Sequence, residues 1–542
     1  MSLLNLMNIG KSALFANQAA LNVTGHNIAN VNTAGYTRQE VVLEIATPTS
    51  NSAGYLGRGV TVDSVRRSYA RFIEGQLLGQ EQSLGKSTAM NEILSQVEQV
   101  FNDSAGMGLS EGLQSFFDSW ESLSSDPGDS AQRTVLLSDA ESMVSTAKQM
   151  ETDLLETIGE INGEIADIAG QVNTIAGKIA DLNEQITKIE AGGTGATAND
   201  LRDTRGSLVT ELGKLVEVST LEDGNGSLTV IVGMRNLVDG TRVNKMTTTA
   251  DASGNLGIEL DGVDVTSRIS KGRLSGLVAS RSAIESGPLV ELRKFAAALT
   301  VEVNALHYEG FGLDGNNHRN FFSALTASTT DSSGGAAISA TIADMSALTL
   351  SEYDVAIGPA GAYTVTNRDT GAAVATGTYS SGAAITFEGL SVTISDDSGT
   401  VAEGDSFSVS PLTGAVSNFA VELTDTDQIA AASGAASLPG DNTNALALAG
   451  LADSGISSLG NATYSGYYAG IVSSVGSMAA DAADLQTFDA NLQSELANQR
   501  DSASGVSIDE EAANLIVYQR GFEAAARLIS VADELIQTVL AL

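Results

Sequence analysis

His26, His307 and His318 are the only side chains whose ordinary pKa lies close to neutrality, and the chain has no cysteine. Acid–base or nucleophilic catalysis would have to be built around one of three widely separated histidines. Neither the His-Glu-x-x-His spacing of zinc hydrolases nor a Gly-x-x-x-x-Gly-Lys phosphate loop accompanies them. The segment Leu313-Asp314-Gly315-Asn316-Asn317-His318 gathers potential metal ligands. One carboxylate is too few for calcium, however, and Asp, Gly and Asn together spell a turn. With 66 Asp and Glu in 542 residues, pairs of carboxylates arise by chance and carry no message. The expectation is no catalytic residue, no cofactor and no metal; Trp120, on an apolar helical stripe, reads as core.

Those acids face only 28 Lys and Arg, a formal charge of -38 with a pI near 4.2. Such a charge repels phosphate backbones and anionic lipid, so nucleic acid and membrane are excluded as partners. No apolar run approaches the ~18 residues of a membrane helix. The N-terminal segment is apolar with one lysine but is interrupted by Asn, Ser and Gln, and reads as mature protein without a cleaved signal peptide.

The elements that carry the pattern are helical at both ends. Met7, Leu14, Leu21 and Ile28 recur every seven residues. Leu515, Tyr518, Phe522, Ala525, Ile529, Ala532, Ile536 and Val539 follow alternating three- and four-residue steps. Ser507 with Glu510 forms a capping box ahead of this second stripe, and acids at 509–511 favour a helix N-terminus. Neither stripe can be buried by its own helix, so the two pair with each other or with neighbouring subunits. In residues 1–34 Lys11 is the only charge apart from His26, which suits a face packed against other chains.

Further in, an Ile/Leu/Val alternation over 154–189 predicts a coiled-coil-like rod of about five heptads, ended by Gly192 and the Gly/Thr/Ala run after it. A helix over 464–500 is expected to complete a bundle with that rod. Hairpin signals stand at Asp223-Gly224-Asn225-Gly226 and Asp261-Gly262. From 326 to 440 the chain is Gly/Ser/Thr-rich with short strands at 362–366, 384–394 and 406–410. The fold class is α+β and multidomain: heptad terminal helices forming a coiled-coil-like core, a long helical bundle and inserted β-rich domains. The expected divisions are 1–60 with 500–542, 61–200 with 455–499, 201–325, and an acidic outer insert at 326–440.

From His26 the chain reads His-Asn-Ile-Ala-Asn-Val-Asn-Thr-Ala-Gly-Tyr-Thr-Arg-Gln. Asn27, Asn30 and Asn32 compete for backbone hydrogen bonds and stop the helix, and Gly35 permits a left-handed turn before an extended 41–45. Asn27, Ala29, Asn30, Asn32, Thr33, Gly35 and Tyr36 resemble the signature of the flagellar axial family, the rod, hook and hook-associated proteins. The C-terminal run Asp509-Glu510-Glu511-Ala512-Ala513-Asn514-Leu515, with Tyr518-Gln519 and 524–534, resembles the closing helix of the same family. In the interior, Val303-Asn304-Ala305-Leu306-His307, Phe321-Phe322 and 203–215 resemble its hook-associated members.

The resemblance implies an exported, extracellular structural subunit, not an enzyme, that joins hook to filament. Its implied partners are identical subunits, the hook protein, a second hook-associated junction protein and an export chaperone on the C-terminal helix. The assembly interface would comprise Met7, Leu14, Leu21, Ile28, Asn30, Asn32, Gly35 and Tyr36 at one end. At the other it would comprise Leu515, Tyr518, Phe522, Ile529, Ile536 and Val539. The alternatives are the hook protein itself or the neighbouring junction protein, and, from another class, an adhesin whose 326–440 insert binds a surface.

Overall fold

A computed structural model describes residues 3–51, 54–102, 108–192, 197–331, 336–396 and 399–541. Among the described residues ten α-helices carry the architecture: α1 (Leu3–Ala29), α2 (Arg71–Val100), α3 (Leu109–Ser125), α4 (Ser130–Glu190), α5 (Asn199–Leu215), α6 (Gly272–Ser286), α7 (Pro288–Glu309), α8 (Thr443–Ala449), α9 (Tyr464–Ser504) and α10 (Ile508–Leu540).

The predicted rod is α4, and it begins 24 residues earlier than the isoleucine stripe suggested. Asp129 caps it by accepting from the Ala131 N–H, just past the turn at Asp126-Pro127-Gly128. At 61 residues it is about 90 Å long. Its stripe from Leu154 to Ile186 is buried, while Ile189 is exposed. The run after Gly192 lies largely outside the described residues. The partner of α4 is not α9. Its apolar side receives α3, α5, α6, α7 and strands of the 219–264 region, so it serves as a spine rather than as half of a coiled coil.

Helix α9 instead pairs with α2, which the periodicity did not reveal. The seam is studded with hydrogen bonds from side-chain amides. Gln80 donates to Asp489 (2.9 Å), Gln493 donates to Glu81 (2.8 Å) and Asn91 donates to Gln486 (2.7 Å). Buried polar residues at these positions erase the apolar 3.6-residue signal.

Both hairpin signals are realised. Ser219–Glu222 pairs with Leu228–Val232 across 223–227. Leu256–Leu260 pairs with Val263–Asp264 through Asp261 and Gly262, both at positive φ. The stretch expected as one strand at 384–394 is two, Ala384–Phe387 and Leu390–Ser395, because Glu388-Gly389 turns with both φ positive. The outer insert is two antiparallel sheets enclosing their own core around Tyr353, Val365, Val392 and Phe407. That core ends at Val409. Leu412, Val416, Phe419 and Ile429 return to the helical core, so the acidic composition running to 440 outlasts the sheets.

The interior motif is structural. The Asn304 carboxamide oxygen accepts from the backbone N–H groups of Phe321 and Phe322 while its nitrogen donates to the Phe322 carbonyl. That clamp holds both rings in a cluster with Phe116, Trp120 and Phe419. His307 is buried between the Arg319 carbonyl (2.8 Å from Nδ1) and the Ala430 N–H, which donates to Nε2 (3.0 Å). This pair requires the neutral imidazole. Burial, against the raising effect of the Arg319 carbonyl, lowers its pKa from 6.5 to about 4. The unfolded chain takes up that proton below pH 6.5 and the folded chain does not until about 4. Stability is therefore expected to fall by about 3 kcal/mol between those values. Urea unfolding across that pH range should show a slope that His307→Gln flattens.

Candidate assembly interface

The two ends of the chain lie side by side. Helices α1 and α10 pack antiparallel: Gly10 meets Ile529, and Gly521 meets Asn17. A Cβ on Gly10 would stand 2.9 Å from Ile529 Cγ1, so the helices approach through small residues. Gly10, Ala16, Ala20 and Thr24 are buried on α1, and Ala525 and Ala532 on α10. The heptad positions Met7, Leu14, Leu21 and Ile28 are only half-buried, as are Leu515, Tyr518, Phe522, Ile529 and Ile536, and Val539 is exposed. The helix pairing thus rests on a small-residue line, with the larger apolar side chains at its margins.

Beyond those margins lies apolar surface with no intrachain cover. Val517, Val531 and Leu535 on α10 and Leu4 and Phe15 on α1 are exposed by 44–64%. On α10 the exposed set falls roughly 100° from the Ala525–Ala532 line, so the helix has two apolar faces and the chain covers one. The three–four alternation traced the covered face; the second shows in sequence as Val517, Ala524, Leu528, Val531 and Leu535 at the same spacing.

The signature residues after α1 do a different job: they fasten this helix pair to the rest of the molecule. Asn27, 1% exposed, uses its whole carboxamide. Its oxygen accepts from Tyr36 OH (2.8 Å) and the Gln39 N–H (3.0 Å), and its nitrogen donates to the Gln39 carbonyl (2.9 Å) and Glu511 (3.2 Å). Glu511, also buried, accepts from Arg38 Nε at 2.8 Å, and Arg38 reaches Glu510 at 3.2 Å. Ser507 caps α10 as expected, with its hydroxyl accepting from the Glu510 N–H, but the Glu510 carboxylate is turned to Arg38.

On the other side of the joint Asp203 of α5 accepts from Thr37 N–H, Thr37 Oγ1 and Arg67. Asp200 accepts from Gln39 (2.7 Å) and lies 3.3 Å from His26. Burial, then the charges of Asp200, Asp203 and Glu511, holds the Tyr36 hydroxyl protonated far above its usual range. Gly35 has φ +78, and a Cβ there would run into Ser207 Oγ, so this position is closed to other residues twice over. Asn30 folds back to the His26 carbonyl; Asn32 is exposed and lines a cleft of about 290 Å³ with Arg500 and Gly505. Asp200, Arg67 and the role of Glu511 had no signal in the sequence, where they are three charges among many.

The histidines are committed elsewhere than to catalysis: His26 to Asp200, His307 to backbone, and His318 against the Tyr308 ring. Asp314 is taken by Arg319 and by its own turn. Gly108-Leu109-Ser110-Glu111-Gly112 has the spacing of a hydrolase nucleophile turn, but it opens α3 with Leu109 in the core. No helix among the described residues is long and apolar enough to cross a membrane.

Comparison with known proteins gives this architecture a class. Residues 7–37 match the flagella basal body rod protein model and 497–542 the C-terminal model of flagellar basal body rod FlgEFG proteins. Both ends are thus those of the flagellar rod and hook class. Between them, 94–322 match the helical domain of flagellar hook-associated protein FlgK and 323–411 the D2-like domain of flagellar hook-associated protein 1. Flagellar hook-associated protein 1 of Salmonella typhimurium is 33% identical over 99% of both chains, and that of Escherichia coli 31% over the same share. The chain belongs to the flagellar hook-associated protein 1 family. The flagellar hook junction protein FlgK from Burkholderia pseudomallei shares the fold, with a TM-score of 0.68, 20% identity, and coverage of 80% of this chain and all of that one. The family is structural rather than enzymatic, and its members reside in the flagellum.

Proposed function

We propose that this chain is exported to the distal end of the hook and polymerises there as the layer on which the filament is built. It would contact identical subunits, the hook protein and the second hook-associated junction protein, and an export chaperone would cover α10 beforehand. The observation that carries this is the second, uncovered apolar face of a terminal helix pair whose first face is already satisfied within the chain. A tube of identical subunits needs heterologous faces that do not close on themselves, and a helix with one face for its own chain and one for a neighbour supplies such a face.

Deleting the gene should leave hooks without filaments and flagellin lost to the medium. Intact motile filaments would overturn the proposal. Leu535→Asp offers a sharper test, because the position is exposed in the monomer. Its unfolding free energy should change by no more than about 0.5 kcal/mol, yet cells carrying it should fail to hold filaments. Normal swarming would show that this face is not buried in the assembly.

A further inference from the structure

Two exposed surfaces of this chain are complementary to each other and lie on opposite sides of the joint. The first is the ribbon formed by Gln39–Ile45 and Val60–Arg67 with its extension through Tyr55. Leu43 stands opposite Val62, and Leu43, Ile45, Val62 and Tyr55 are exposed by 39–86%. Arg58 is exposed beside them with no ion pair among the described residues, whereas Arg66, opposite Glu40 in the register, stands on the other face. Residues 1–72 as a whole hold six Lys and Arg against Glu40, Glu44 and Asp63, in a chain of net charge -38.

The second surface is the outer face of α9. Leu485, Phe488 and Leu492 are exposed by 37–63%. Asp481, Asp484 and Glu495 share that face by helical spacing, and none of them is paired with a cation among the described residues. The lengths agree: a seven-residue strand spans about 23 Å, and 481–495 along a helix spans about 21 Å.

One chain cannot bring the two together. The ribbon starts where Arg38 N–H meets the Ser504 carbonyl and runs along α1, with Gly59 against Ser12 and Gly57 against Asn5. Phe488 lies sixteen residues, about 24 Å, back along α9 on the other side of the joint, and α9 packs along neither α1 nor α10. We propose that the ribbon docks on the outer face of α9 of a second copy of this chain, displaced along the long axis. Its apolar rows meet, and Arg58, at the Ile45 end of the ribbon, faces Asp481 and Asp484. This extends the assembly reading above by naming one pair of contacting surfaces, and rests on it.

The absence of cysteine makes the test selective. The full-length chain carrying both Ile45→Cys and Phe488→Cys, oxidised mildly on flagellated cells, should give a covalent ladder of three or more copies. Ile45→Cys with Met234→Cys, an equally open position, should give none. Arg58→Glu introduced into the first pair should abolish the ladder and Asp484→Arg should restore it. A ladder of equal strength in the control, no ladder on cells whose filaments are attached, or Ile45→Cys linking to a different hook component would each overturn the docking. Should the cysteine pair itself detach filaments, swarming of the Arg58→Glu/Asp484→Arg exchange decides, with no recovery over Arg58→Glu counting against the contact. Failure of the assembly reading is recognised separately, by motile filaments in the deletion strain.

Discussion

Replacing Glu511 by alanine should loosen both ends of the chain at once. Its carboxylate is buried and joins Arg38 of the N-terminal loop to Asn27 of α1, so its removal strands a guanidinium and an amide donor in a site with little water. Breaking a buried pair on one side costs about 3–5 kcal/mol, and the remaining Glu510–Arg38 contact sets the lower end as the expectation here. A loss of about 3 kcal/mol corresponds to roughly 100-fold faster hydrogen exchange, and it should be confined to α1, α10 and the 31–39 loop. Glu510→Ala is the control, since that carboxylate is largely exposed and its pair is worth under about 1 kcal/mol. Equal protection in the two variants would mean that the ends are held by the α1–α10 packing alone. The same packing decides between the alternatives that the heptads left open for their inner faces: α1 and α10 cover each other within one chain.

Trp120→Ala is expected to have the other large effect, about 3–5 kcal/mol of lost stability. The indole is fully buried, with ring centroids 5.6 Å from Phe321 and 6.4 Å from Phe116, in the cluster that Asn304 holds in place. The insert has a core of its own, so urea titration should separate two transitions, with only the one belonging to the helical body displaced. Phe387→Ala, in the insert core, should displace the other. A single transition moved by either variant would show that body and insert unfold as one unit.

What the sequence revealed follows from where its polar residues point. Helix α10 could be read to its first residue because its apolar line is interrupted by nothing and Ser507 marks its start. The α4 spine was legible over its isoleucines but not over 130–153, where Ala140, Ala147 and Met150 replace the branched residues. Helix α2 escaped altogether, since Gln80, Glu81, Gln82 and Ser87 occupy buried positions against α9 and neighbouring elements. The joint was half-legible. Asn27, Gly35 and Tyr36 drew notice as a motif; Asp203 and Glu511 stood inside stretches that resemble the family, but their part as acceptors of their neighbours' hydrogen bonds showed only when the fold brought them together.

The meeting of Gly10 with Ile529 also sets a timetable. A polypeptide appears N-terminus first, whether from a ribosome or through a pore, so α1 is the first helix available and its partner nearly the last. Closing a loop of about 500 residues carries an entropic penalty that only the remaining structure can shorten. Folding of the spine and the α2–α9 seam shortens that loop, and Asn27 stays without its Glu511 acceptor until residue 511 has appeared.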